Sequence, residues 1–391
     1  MSQQLINHSP DLKRLRDDGF EIEIVSGYLL INNVPYFDSD KKPVYGTLIS
    51  ELTLAGNRTT KPNTHVVHFK GVYPCNKDGS EIEQIRHNSN LQTLADGLVV
   101  DHSFSNKPPE GYNDYHEKMT RYIDIISAPI QSMDGSITAK TFKPVESEDE
   151  DSVFHYIDTN SSRAEINLIS DKLKYHKIGI IGLGGTGSYI LDLISKTPVK
   201  EIHLFDGDKF LQHNAFRTPG AASIEKLRKC PTKIEYLKEI YSNMHKNICL
   251  HPGFLDSSNI EQLFGMDFIF ICIDKGEVKK LIFKYLEEKN IPFIDVGMGV
   301  SIVDNKLFGN IRTTSSKENK RDHIKTRVPL VSLEDDEYST NIQIAELNAL
   351  NAAFAVIKWK KICGFYLDQE NENNSTFAIN LNTLISDDHD S

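Results

Sequence analysis

Lys177 to Arg217 reads K-I-G-I-I-G-L-G-G-T-G-S-Y-I-L-D-L-I-S-K-T-P-V-K-E-I-H-L-F-D-G-D-K-F-L-Q-H-N-A-F-R, and this stretch decides the fold. Lys177–Ile181 is a short apolar run of the kind that forms a strand buried on both faces. Gly182, Gly184, Gly185 and Gly187 follow at once. Gly182 permits a tight turn, Gly184 lets the backbone approach a phosphate, and Gly187 allows close helix–strand packing. From Thr186 to Lys196 the apolar residues recur at helical spacing, with Ile190, Leu193 and Ile194 on one face. The start of such a helix offers unpaired N–H groups and the positive end of its dipole to an anion. Ile202–Phe205 predicts a second strand and sets Asp206 at its carboxyl end, nineteen residues past Gly187, where a ribose-binding carboxylate belongs.

The front half alone also fits a dinucleotide-binding oxidoreductase. The back half argues otherwise. Asp206, Asp208, Asn214 and Arg217 form D-x-D-x(5)-N-x-x-R. A dehydrogenase has no need for that asparagine and arginine, whereas a triphosphate does, because arginine presents a planar fork of donors to phosphate oxygens. The combined pattern resembles the ubiquitin-activating-type adenylyltransferases of the ThiF/MoeB/HesA family, whose motifs are GxGGxGS followed by D-x-D-x-V-x-x-S-N-L-x-R-Q. Gly182–Ser188 match the first motif, and Asp206, Asp208, Asn214 and Arg217 match the second at identical spacing. His213 replaces the usual Ser, Ala215 the Leu and Thr218 the Gln.

The resemblance implies an α/β fold: a Rossmann-like adenylation domain with a mostly parallel sheet, over residues 153–391, using ATP and Mg²⁺. It implies that Asp206 holds the ribose, that Asn214 bonds phosphate or metal-bound water, and that Arg217 contacts the phosphates. A lysine at the start of the next helix belongs to the same set. Lys233 precedes a helical pattern with Ile234, Leu237 and Tyr241 on one face; Lys226 and Lys229 are the alternatives. Phe268–Ile273 reads as a central strand ending in Asp274, and ligand groups in open α/β sheets gather at the carboxyl ends of strands. A carboxylate there is placed to hold Mg²⁺. The family pattern C-x-D-N appears as Cys272-Ile273-Asp274-Lys275, so Lys275 stands where the family has Asn. Ile291–Val296 is a further strand, followed by Gly297-Met298-Gly299. In the family a second arginine on a helix before the first strand reaches the phosphates of the partner subunit. Arg163, in Ser162–Ile166, fits that placement, and the resemblance then implies a homodimer.

Many relatives pass the acyl group to an enzyme cysteine on a later loop. The corresponding stretch, Arg312–Tyr338, contains no cysteine, and the paired CxxC zinc motifs of several relatives are absent. Cys230, near Lys233, is the substitute within the chain, against the ordinary reading of a lone cysteine as structural. Arg312–Arg327 reads as a basic, polar crossover loop. Gln343–Trp359 predicts a strong helix whose apolar face carries Ala345, Leu347, Leu350, Ala353, Phe354 and Ile357, a core or dimer surface. A short strand is expected at Thr376–Ile379 and disorder over Ser386–Ser391.

Residues 1–145 read as a smaller α+β domain, separated by the acidic run Glu146–Asp151 (linker 146–152), since such runs are usually solvated connectors. Asp11–Asp18 predicts a helix, and Glu21–Ile31 a strand that Val34-Pro35-Tyr36 breaks. Gly46–Leu54 and His65–Phe69 predict further strands, and Tyr112–Ile126 a helix with Tyr115, Met119, Tyr122 and Ile126 on one face. His65, His68, Cys75, His87 and His102 match no zinc spacing. The domain resembles an extension of bacterial members of the family from ubiquitination-like operons, and the expectation is that it recruits the protein to be activated or an E2-like carrier.

Composition sets the outer limits. The 391 residues are 39% hydrophobic and 25% charged, with a formal net charge of -11, which disfavours a nucleic-acid partner. No apolar run approaches a membrane span, the N-terminus has no signal-peptide pattern, and five scattered cysteines suggest a reducing, cytoplasmic compartment. The expected function is ATP-dependent adenylation of a carboxylate, above all the C-terminal glycine of a ubiquitin-like protein. The alternatives are adenylation of a peptide, sulfur carrier or tRNA base, an NAD-dependent oxidoreductase, or a non-catalytic scaffold.

Overall fold

The computed structural model describes residues 2–147, 152–330 and 342–390. Part of the acidic run expected as a linker, residues 148–151, lies outside them, as does 331–338 of the stretch Arg312–Tyr338 that corresponds to the cysteine-bearing loop of relatives. The chain divides into two compact units. One comprises Met1–Glu150 with Ile157–Glu165, and the other Asp151–Tyr156 with Ile166–Ser391. The chain thus enters the second unit briefly, where Lys246 N donates to Val153 O and His155 N to Met244 O, before returning to the first.

The first unit is an antiparallel six-stranded sheet in the order Glu21–Val25, Tyr28–Phe37, Pro43–Glu51, Val66–Lys70, His102–Ser105, Arg86–Asn88. The helix Tyr115–Gln131 lays Tyr115, Met119, Tyr122 and Ile126, all fully buried, into its core with Leu48, Val67 and Phe69. The single strand expected over Glu21–Ile31 is a hairpin instead. Ser26 and Gly27, at φ 49° and 84°, form the two-residue turn that Val25 and Tyr28 close, and positive φ at both turn positions matches the right-handed twist of the strands. Val34-Pro35-Tyr36 does not break the second strand, which resumes after a bulge beside Asn33 (φ 58°). The first strand pairs only as far as Asn32, so Pro35 has no ladder bond to donate on that side.

The second unit is an eight-stranded sheet in the order Ile248–Pro252, Glu201–Asp206, Lys177–Ile181, Phe268–Ile271, Phe293–Val303, Lys306–Ser316, Asn374–Ala378, Thr383–Asp387. The first five strands run parallel and the remaining pairings are antiparallel. One face buries Ile178, Ile180, Phe268 and Phe270 under Ala352, Ala355 and Trp359 of the helix Ala345–Ile362. The other buries Ile269, Ile271 and Phe293 under Ile282, Phe283 and Leu286 of the helix Gly276–Glu288. Among the described residues no helix is long and apolar enough to cross a membrane.

Four expectations are corrected here. Gly297-Met298-Gly299 continue a strand to Val303, because every residue of Phe293–Val303 is paired against Lys306–Ser316. Arg312–Arg327 is not one loop: Arg312–Ser316 is strand, and Ile324–Arg327 is a short helix with Ile324 and His323 buried. Ser386 and Asp387 are ordered, because Thr383–Asp387 pairs with Asn374–Ala378. The last helix is rotated from its expected face. Leu347, Asn348, Asn351, Ala352, Ala355, Val356 and Trp359 are buried, while Ile357 stays 43% exposed. The small Ala352 and Ala355 let the helix approach the sheet closely, and Asn348 and Asn351 find polar partners there.

Candidate functional site

The glycine turn closes the carboxyl end of the central strand Lys177–Ile181. Gly182 sits at φ +86°, and its N–H donates to Phe205 O at 2.9 Å. A side chain at Gly187 would place Cβ 1.9 Å from Gly182 O, so only glycine lets the helix Gly185–Ile194 start so close to the turn. A Cβ at Gly184 would meet open space, leaving its backbone accessible. Gly185 is different: its Cβ would fall 2.1 Å from Asn348 Nδ2. The expected phosphate-binding glycines therefore have three distinct surroundings, and Asn348 is a contact that sequence spacing did not reveal. Its only signal was two asparagines a turn apart within the mostly apolar run Leu347–Ile357.

Asp206 is buried at the end of its strand. One oxygen accepts from Leu183 N at 2.7 Å and the other from Asp208 N at 2.8 Å, so the carboxylate clamps the glycine turn to the loop that follows. Lys233, at the start of the helix Lys233–Tyr241, is buried and places Nζ 2.7 Å from Asp208 Oδ2 and 3.6 Å from Asp206 Oδ2. Thr232 caps this helix by accepting from Glu235 N. Asn214 is buried; its Oδ1 accepts from Leu211 N at 2.8 Å, and its Nδ2 has no acceptor. Arg217, half-buried, has a buried Nε–H without an acceptor. Burial lowers its pKa, while the charges of Asp274 and then Asp208 pull it back up. Asp206, Asp208, Lys233, Arg217 and Asp274 thus stand within reach of one another's contacts or fields. Lys275 extends over the ring of Phe254, Nζ 5.0 Å from its centre, which gives the departure from the family asparagine a local cation–π partner.

Beside these groups lies a cluster that sequence reasoning missed. Asp295, fully buried, takes Lys279 Nζ at 2.6 Å on one oxygen and Arg312 Nη2 at 2.6 Å on the other. Lys279 comes from the helix Gly276–Glu288 and Arg312 from the strand Lys306–Ser316. Arg163 belongs to the first unit. It is exposed at the end of the short helix Thr159–Arg163, where Ser162 Oγ donates to Asp17. Of the cysteines, Cys230 is exposed, and burial pushes the thiols of Cys75 and Cys249 up and that of Cys363 to about 12. Among the described residues no group of three His, Cys, Asp or Glu stands ready for a metal ion. A Mg²⁺ held by one carboxylate and by substrate phosphates needs no such group.

A glycine turn at the carboxyl ends of a parallel sheet, flanked by unpartnered N–H donors, defines a nucleotide-binding domain of the doubly wound α/β class. Residues 157–381, more than half of the chain, match the ThiF family, and the chain belongs to it. Residues 10–159 match a domain of unknown function, DUF6791. Ubiquitin-like modifier-activating enzyme 5 of Drosophila melanogaster is 24% identical over 155 residues, covering 36% of this chain and 38% of its own. The enzyme of the same name from Culex quinquefasciatus is 22% identical over 149 residues, 35% of this chain and 37% of its own. The match thus spans less than two-fifths of the length of these curated relatives. Among solved structures, E. coli MccB with MccA-N7isoASN aligns at a TM-score of 0.46 and 17% identity, covering 59% of this chain and 69% of that one. PaaA aligns at 0.45 and 16%, covering 59% and 80%.

Proposed function

We propose that this chain uses ATP to adenylate a carboxylate. The carboxylate oxygen attacks the α-phosphate, the bond from that phosphorus to the bridging oxygen breaks, and acyl-adenylate and pyrophosphate result. A carboxylate and a triphosphate repel each other, so the enzyme's main task is positioning and charge neutralisation. The observation that carries the reading is Arg217, a guanidinium whose buried Nε–H lacks an acceptor. Lys233 supplies the second cation by turning from Asp208 to phosphate, and Asn214 offers its open Nδ2–H. Asp206 faces the ribose. Asp274 is the carboxylate that would hold Mg²⁺, which when bound neutralises part of the triphosphate's charge.

The carboxylate is the C-terminal glycine of a ubiquitin-like protein, a reading supported by family membership and by the name of the curated relatives. The protein works in the cytoplasm as a homodimer, with Arg163 acting across it. The first unit recruits the protein substrate or an E2-like carrier, and Cys230 is the exposed thiol available for any thioester.

The test is ATP–pyrophosphate exchange with Mg²⁺ against a panel of small proteins ending in glycine. Exchange is expected with one partner, falling about 100-fold or more in Arg217→Ala, the loss typical of a charge-stabilising donor, and similarly in Asp274→Ala. ATP binding without exchange on any partner, unaltered by either substitution, would point to the scaffold alternative.

A further inference from the structure

The helix Ala345–Ile362 buries two asparagines one turn apart, and they are treated differently. Both polar atoms of Asn351 have partners: its Nδ2 donates to Gly297 O at 3.0 Å and its Oδ1 accepts from Thr313 Oγ1 at 3.3 Å. Asn348 is only half satisfied. Its Oδ1 accepts from Thr186 Oγ1 at 2.9 Å, while its Nδ2, on a residue 1% exposed, has no acceptor. A buried donor left without a partner is costly, and native proteins rarely keep one without a reason.

The position of this donor supplies the reason. The amide lies flat against Gly185, in the first turn of the ten-residue helix Gly185–Ile194, with Nδ2 as the atom nearest to where a Cβ would stand. The first N–H groups of that helix have no partner within it and form the positive end of its dipole. Thr186, which orients the amide, is itself the second residue of the helix. A side-chain N–H is thereby placed beside the first residues of the glycine-turn helix, from an element over 150 residues away in sequence.

We infer that Asn348 is a phosphate-contacting residue of the nucleotide site, its Nδ2–H donating to a phosphate oxygen of the bound nucleotide at the start of the glycine-turn helix. This inference rests on the ATP reading above. Gly185 is glycine because a side chain there would occupy the space of the Asn348 amide, which separates its role from those of Gly184 and Gly187. Asn351 is the structural counterpart, fixing the strand Phe293–Val303 to the helix.

The test uses the full chain and three titrations. Wild-type protein, Asn348→Asp and Asn351→Ala are each titrated with ATP, then with adenosine, and their melting temperatures are recorded. Asn348→Asp keeps the acceptor for Thr186 but sets a carboxylate against phosphate. It should weaken ATP binding about tenfold or more, as expected for loss of a hydrogen bond to a charged group, with adenosine affinity unchanged; the melting temperature falls as well, because a carboxylate is buried, so the ratio of ATP to adenosine affinity is the deciding readout. Asn351→Ala should lower the melting temperature while ATP affinity stays within about twofold. ATP affinity unchanged in Asn348→Asp, or lost in parallel with adenosine binding, overturns the inference and leaves the ATP reading standing. No ATP binding by the wild-type protein overturns both.

Discussion

Two polar clusters occupy the carboxyl ends of the second unit's strands, and they differ in one respect. Around Asp295 every charge is answered: one buried carboxylate holds two cations from two elements. Around the glycine turn donors are left over, on Arg217, Asn214 and Asn348. Asn214 and Asn348 are buried as deeply as Asp295 and Lys279, and Arg217 is half-buried. The difference teaches that buried charge by itself does not mark a functional site. Single unmatched polar atoms such as Tyr285 Oη and Trp359 Nε1 do not mark one either; several unmatched donors on residues that flank one glycine turn leave a cluster for a ligand to complete.

The sharpest way to break that comparison is Asp295→Ala. It strands Lys279 and Arg312 without their counter-charge, and removal of one partner from a buried ion cluster costs about 3–5 kcal/mol. Chemical denaturation should read a loss of that size. If stability held and ATP binding vanished instead, the cluster would belong to the site and not to the scaffold.

A pair of glycines gives the next largest effect. Gly187→Ala drives Cβ onto Gly182 O, so the turn must shift at a cost of roughly 1–3 kcal/mol, with nucleotide binding lost. Gly184→Ala projects into open space and should change stability by no more than about 0.5 kcal/mol while still weakening nucleotide binding. Equal melting temperatures for the two variants would contradict the distinction between packing and ligand approach.

The smallest effect comes from a third closed cluster, where Lys358 and Lys361 hold Asp368 and Glu372. Burial alone would raise the Asp368 pKa, but Lys358, the Asn371 N–H and Lys361 outweigh it and hold it at about 2. The folded value lies below the unfolded one, so this group stabilises the protein above about pH 4 and the contribution is lost as pH falls towards 2. After solvent screening it amounts to about 1–2 kcal/mol. Denaturation midpoints measured across that window should fall in the wild type by more than in Asp368→Asn. Identical pH profiles would remove Asp368 from the account.

Much was legible in the chain itself. The run Lys177–Arg217 determined the strand, the glycine turn, the helix and the acidic strand end, because those features depend on neighbours within a few residues: apolar periodicity, glycine's freedom at positive φ, and the reach of one turn of helix. The helix Tyr115–Gln131 was equally clear, since its buried face repeats at helical spacing. The sequence missed the hairpin at Ser26-Gly27, because its two arms together look like one alternating strand. It missed the rotation of the last helix, because which face is buried depends on what packs against it. The pairing of Lys279 with Asp295 and Arg312, and of Asn348 with Gly185, was decided only in three dimensions. Those partners meet across strands and helices brought together by the sheet, and no local spacing records where a distant side chain will find its counter-charge or be left waiting for one.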